Sequence, residues 1–228
     1  SVIDEIKKLY YDHQVNHLTW LDDDLFYNVP HMIELFNGIA KLPFKVTWDA
    51  SNGIIASAAT AHPELVDAAS DSGCIGMYFG IESGNRDILR SVRKPSGIKH
   101  YMKIGNLMSK YPHIFTRGFL MMGFPNETIS QIIDTVQLAR DMNLDWYTFQ
   151  LLTPLQNTDI HQEMLDLGLV EQDDLHTEGD GFTMFSVREG ERQRRRERKN
   201  KKIEKESYFD LFNAPKDHIP TKPELNDI

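Results

Sequence analysis

Five short apolar segments recur along the chain at intervals of roughly 30 residues, the span of one strand–helix–strand unit, and this spacing restricts the fold more than any other feature. They are His17–Leu21, Phe44–Trp48, Ile75–Ile81, Phe115–Met122 and Trp146–Leu152. The sequence between them has helical period. Ile3, Ile6, Leu9 and Tyr10 share one face, and Pro30 opens a helix carrying Ile33, Phe36, Ile39 and Ala40. Pro63 opens another helix that stops at Gly73. A helix is predicted from Ile98 to Tyr111. Asn126–Met142 carries a stripe of Ile129, Ile132, Ile133, Val136 and Ala139, and a short helix from Asp159 to Leu167 ends at Gly168. Strands alternating with helices predict an α/β fold with a parallel sheet. At 228 residues the chain suffices for one sizeable core and is short for two.

In parallel α/β folds ligands gather at the carboxyl ends of the strands. The segments that follow the predicted strands are Asp22–Asp24, Asp49–Gly53, Glu82–Asn85, Gly123–Thr128 and Pro154–Thr158, all polar or rich in Gly and Pro. In Gly80-Ile81-Glu82-Ser83-Gly84 a buried strand runs into a carboxylate and a hydroxyl, with glycines that let a ligand approach the backbone. The plain alternative is a Ser/Gly turn with Glu82 capping the next helix. Gly118 and Gly123 bracket an apolar strand, which is either a bed for a flat apolar ring or a core strand before a capped helix. Asp22 and Asp23 suggest a cation, an ammonium group before a metal.

The net charge of −9 is unevenly spread: residues 191–206 hold nine Lys or Arg against four Glu, so the remainder is strongly acidic. An acidic body argues against a nucleic-acid-binding main surface. The basic segment reads as a solvated helix or linker before an RNA contact. No run of about 18 apolar residues occurs, so no membrane-spanning helix is expected. The start at Ser1 has neither the basic nor the apolar region of a signal peptide. With one cysteine, Cys74, the chain can form neither an internal disulfide framework nor an all-cysteine metal site, and a cytoplasmic location is the default. The tail after Ser207 is proline-spaced and expected to be extended or poorly ordered.

Taken in order, Asp22-Asp23-x-Leu25-Phe26, then Gly80–Asn85 with Leu89 and Lys94, then Gly118–Thr128, then a strand reaching Pro154, the chain resembles the radical S-adenosylmethionine (SAM) superfamily from Val2 to about Thr158. It looks most like the branch that often carries an upstream cobalamin-binding domain. The resemblance implies an incomplete parallel (β/α) barrel of about five strands over residues 1–169, with a charged helical or irregular extension over residues 170–228. It implies that Asp22 and Asp23 face the cofactor's amino group. Glu82, Ser83 and Gly84 would meet its ribose and carboxylate, with Lys94 nearby. The backbone from Gly118 through Met121 to Gly123 would lie beside the adenine, and Asn52-Gly53-Ile54 matches a third-strand element.

The family's [4Fe-4S] cluster sits on a C-x3-C-x2-C loop after its first strand. One cysteine cannot supply it, so that loop is expected upstream of Ser1, cut away or not encoded, and any cobalamin domain further upstream. The family's Pro-x-Pro-Gly-Thr appears as Pro154-Leu155-Gln156-Asn157-Thr158 and lacks the Gly. Two functions follow: part of an enzyme that binds SAM and, with the cluster segment, makes a 5′-deoxyadenosyl radical or supports methyl transfer; or a non-catalytic degenerate barrel that binds a nucleotide-like ligand or a partner. The nine histidines have no ligand spacing, and His17 and Trp20 are placed near the expected pocket. The substrate is not legible.

Overall fold

A computed structural model describes residues 1–168 and 214–220. Its centre is a five-stranded, all-parallel sheet in the order β1 (His17–Trp20), β2 (Thr47–Ile54), β3 (Cys74–Glu82), β4 (Phe115–Met122), β5 (Trp146–Leu151). The strands are joined by α1 (Val2–His13) before β1 and α2 (Val29–Ala40) after it, then α3 (Ala56–Ala61) and α4 (Pro63–Asp71), α5 (Arg86–Ser91) and α6 (Ile98–Met108), α7 (Ile129–Met142), and α8 (Asp159–Asp166) after β5. This is the expected incomplete (β/α) barrel, open between β1 and β5.

Local chemistry sets the boundaries. Ser1 and Asp4 form a capping box on α1, and Thr128 and Gln131 form one on α7. Asn28 caps α2, with Pro30 in its first turn. Gly73, at φ +98, returns the chain to the sheet where a Cβ would strike the Val46 carbonyl.

The sheet has two unlike faces. Trp48, Ala50, Met77, Phe79, Ile81 and Leu120 are buried beneath the helices, and Phe36 of α2 stacks on Trp48 at 4.8 Å. The alternate residues Asp49, Tyr78, Glu82, Arg117, Phe119 and Met121 are half-buried on the other, open face.

Two expectations change, and the tail gains a contact. β2 begins at Thr47, not Phe44, and continues through Asp49–Gly53, which was expected to be a loop. Phe44 instead stacks on Tyr10 of α1 with ring centroids 3.8 Å apart. Asp49 and Ser51 fit a strand because they alternate with buried Trp48 and Ala50. The helix after β4 starts at Ile129 rather than Asn126, since Asn126 has φ +60 and Thr128 is the cap. The tail is docked at residues 214–220: the Lys216 and His218 carbonyls accept from the Ser130 and Ile129 amides at 3.0 and 2.8 Å, occupying donors that the first turn of α7 leaves open. Ala214 packs against the cluster of Met122, Ile129 and Ile132. The basic segment 191–206 lies outside the described residues. Among the described residues, no helix is long and apolar enough to cross a membrane.

Candidate functional site

The carboxyl end of β3 is irregular in a specific way. The register against β4 slips between Gly80 and Glu82, and Glu82 itself sits at φ +66. The Ser83 amide donates to the Ile81 carbonyl at 3.0 Å, closing a three-residue turn centred on Glu82. A non-glycine residue held there costs about 1–3 kcal/mol, which marks a position worth a functional reading. The bulge re-aims the Glu82 side chain onto the open face.

There Glu82 meets Lys94, with Nζ 2.7 Å from Oε1 and the two side chains only 23% and 19% exposed. Lys94 arrives because α5 ends in a helix-reversal turn: Arg93 takes φ +54 and the Lys94 amide donates back to the Leu89 carbonyl at 2.9 Å. Gly80 makes room, since a Cβ on it would lie 3.1 Å from Lys94 Nζ and 3.4 Å from Glu82 Oε1.

The next two residues face the other way. Ser83 is fully buried, its hydroxyl 3.1 Å from that of Thr135 on α7 and accepting from the Asn85 amide at 3.1 Å. The Gly84 amide donates to the Thr135 hydroxyl at 2.8 Å. Asn85, not Glu82, caps α5, accepting from the amides of Asp87 and Ile88. Glu82 is therefore presented by a turn that Ser83, Gly84 and Thr135 pin from behind. Thr135→Val, isosteric but without the hydroxyl, is expected to cost about 1–3 kcal/mol by leaving a buried amide unpaired. Urea denaturation checks this, and a loss below about 0.5 kcal/mol would refute the pinning role.

Asp22 and Asp23 are exposed just beyond β1. Asn52 of β2 donates its side-chain amide to the Leu21 and Asp22 carbonyls at 3.3 and 3.4 Å, tying that segment to the sheet. Met121 lies half-buried on the open face near the end of β4. Gly118 has its missing side chain on the helix side, where a Cβ would lie 2.7 Å from Ile81 Cδ1 and 2.9 Å from Tyr147 Cδ1.

Gly123, at φ +86, turns the chain after β4, and its amide donates to Glu127 Oε2 at 2.7 Å. Glu127 is 1% exposed and its Oε1 has no partner. Burial outweighs its two backbone donors and pushes its carboxyl up to about 7. Glu127 lies within the Gly123–Thr128 segment but reads there only as part of the helix start, and Thr135 went unnoticed in the sequence. The available signal was a hydroxyl within the apolar stripe of α7.

Trp20, expected near the pocket, packs edge-on to Trp48 at 6.2 Å. His17 is on the open face but at the start of β1, bound to Thr47 and Asp49 at 2.8 and 3.0 Å. Cys74 is 1% exposed and burial pushes its thiol up to about 12, the state of an inert structural cysteine. No group of three or more His, Cys, Asp or Glu among the described residues is placed to hold a metal. These residues do not fit an iron–sulfur cluster. The Glu82–Lys94 edge does fit SAM, a ligand with ribose hydroxyls and a zwitterionic end. A cleft of about 620 Å3 lined by Asn85, Arg90, Met102 and Asp141 lies among α5, α6 and α7, away from the open face.

The model of the radical SAM superfamily matches residues 1–139. The chain belongs to the radical SAM superfamily. Relatives include an uncharacterized methyltransferase of Pyrococcus horikoshii, 28% identical over 158 residues, covering 69% of this chain and 33% of that protein. Bacteriochlorophyllide d C-12(1)-methyltransferase of Chlorobaculum tepidum is 30% identical over 149 residues, covering 65% and 31%. The chain thus spans about a third of the length of these relatives. Among solved structures, the radical SAM methyltransferase TsrM of Kitasatospora setae, with cobalamin and a [4Fe-4S] cluster bound, superposes with a TM-score of 0.56 at 17% identity, over 66% of this chain and 30% of that one. The cobalamin-dependent radical SAM enzyme OxsB superposes with a TM-score of 0.51 at 16% identity, over 72% and 24%. Both share the radical SAM fold.

Proposed function

We propose that this chain is the SAM-holding part of a radical SAM enzyme, with the cofactor lying across the open face at the carboxyl ends of β1, β3 and β4. The Glu82–Lys94 pair on its strained, bulged strand end carries the reading. The free oxygen of Glu82 accepts from ribose hydroxyls, and the remaining protons of Lys94 face a carboxylate. Asp22 and Asp23 receive the ammonium group, and Met121 with the Gly123 backbone forms the bed for adenine. Ser83, Gly84 and Gly118 serve from behind, by packing. A [4Fe-4S] cluster would be held by thiolates other than Cys74. Such a cluster would supply the reducing electron for SAM cleavage or support methyl transfer. Two methyltransferases among the relatives and the cobalamin-bound structural neighbours favour methyl transfer with cobalamin.

Calorimetric titration of the full-length protein with SAM tests this. Glu82→Gln is expected to weaken binding about tenfold and Lys94→Met by a similar factor, the loss of roughly one charged hydrogen bond. Unchanged affinity in both would remove the site. The reading of a non-catalytic module draws on the inert Cys74. It would prevail if full-length protein treated with iron and sulfide developed no sulfide-to-iron absorbance while still binding SAM.

A further inference from the structure

Below the rim, the open face carries a second constellation that SAM binding does not use. Arg117 of β4 lies with its guanidinium carbon 5.8 Å from the ring centre of Tyr78 and 5.2 Å from that of Phe119. Its Nε donates to the Thr148 hydroxyl of β5 at 2.8 Å, which fixes the fork. Arg117 takes part in none of the ion pairs among the described residues. Asp49, which borders the same Gly76 as Tyr78, is engaged instead by His17 and Thr19 at 3.0 and 3.3 Å. An oriented, half-buried guanidinium with no ion-pair partner among the described residues is poised for a bidentate oxyanion.

The strand above Arg117 completes the picture. Phe119 and Met121 follow it on the same face by the two-residue alternation of a strand, so an apolar path of about 13 Å leads from the rim to the guanidinium.

We infer that this trough is the substrate site. It takes an elongated apolar acid whose carboxylate or phosphate group binds Arg117, whose body lies along Phe119 and Met121, and whose reacting end reaches the rim. The inference rests on the SAM reading of that rim, but its test does not involve SAM.

Phenylglyoxal modifies accessible guanidinium groups, and peptide mass spectrometry of the modified full-length protein reports each arginine separately. 4-Phenylbutyrate is the apolar acid probe. Acetate is the carboxylate without a body and inorganic phosphate is the alternative anion, all at ionic strength held constant with chloride. Saturating 4-phenylbutyrate is expected to slow modification of Arg117 about tenfold, while Arg93, whose side chain is 87% exposed, reacts as before. Acetate should need about a tenfold higher concentration for half-protection. Phe119→Leu, which keeps an apolar strand residue but loses the ring over the guanidinium, should raise the half-protecting concentration of 4-phenylbutyrate several-fold. Protection by phosphate at lower concentration than by either carboxylate assigns the site to a phosphate group. An Arg117 that never reacts, that is protected no better than Arg93, or whose protection rises without saturating overturns the site. Acetate as effective as 4-phenylbutyrate overturns the apolar body. None of these outcomes bears on whether SAM binds at Glu82 and Lys94.

Discussion

Gly84→Ala is expected to destabilise the protein by about 3 kcal/mol or more, the upper range for forcing extra volume into a packed core. A Cβ at this position would lie 2.6 Å from Thr135 Cα and 2.7 Å from the Asp134 carbonyl carbon, both backbone atoms of α7. Backbone within a helix cannot rotate aside as a side chain would. Relief therefore requires the turn and α7 to separate, and the hydrogen bond from the Gly84 amide to Thr135 is then lost as well. Because this turn presents Glu82, the proposed SAM affinity should fall together with stability. Chemical denaturation of wild type and variant gives the answer. A loss under 1 kcal/mol would mean that the approach of the turn to α7 is looser than described.

The second large effect concerns pH. The Glu127 carboxyl is raised from its ordinary value of 4.5 to about 7, foremost because burial penalises its charge. A raised carboxyl means the folded state holds the proton more tightly than the unfolded chain does. The associated stability is fully present below about pH 4.5 and is lost as pH rises through about 7. The difference is on the order of 3 kcal/mol between the two limits. Glu127→Gln keeps an oxygen for the Gly123 and Phe124 amides and carries no charge to desolvate. Relative to wild type, this variant is expected to gain stability steadily from pH 5 to pH 8, by up to that amount. Parallel melting curves of the two proteins across this range would contradict a buried, titrating Glu127. Since Glu127 closes the turn at Gly123, the same range should tighten or loosen the end of β4 beside the proposed cofactor.

How far the residues announce all this differs from element to element. β4 and β5 were legible because they are apolar and bounded by turn residues. α7 was legible as an apolar stripe, although its start was misplaced by the four-residue turn Phe124–Glu127, closed by the Glu127 amide on the Phe124 carbonyl, before the Thr128 cap. β2 was misplaced because half of its residues are polar. Asp49 and Ser51 belong to a strand only when Trp48 and Ala50 have a helix layer to bury against, and that layer is remote in sequence. Phe44 looked like a strand residue for the complementary reason, its partner Tyr10 being an aromatic of α1.

The same division runs through the site. Alternation of apolar and helical segments was enough to place Asp22, Asp23, Glu82 and Gly123 at strand ends, because spacing along a chain dictates which residues a parallel sheet delivers to one edge. The ordered motifs were enough to place the chain in its family. Alternation could not say which neighbours at that edge lie on the open face and which face the helices. Ser83 and Gly84 directly follow Glu82, yet they turn onto α7 through contacts spanning about fifty residues. Arg117 and Thr148 meet across strands 31 positions apart. Local period is a property of neighbouring residues and can be read along the chain. The direction of a turn, the burial of Glu127 and the lack of an ion pair at Arg117 among the described residues depend on packing between distant elements, and these came into view only with the chain folded.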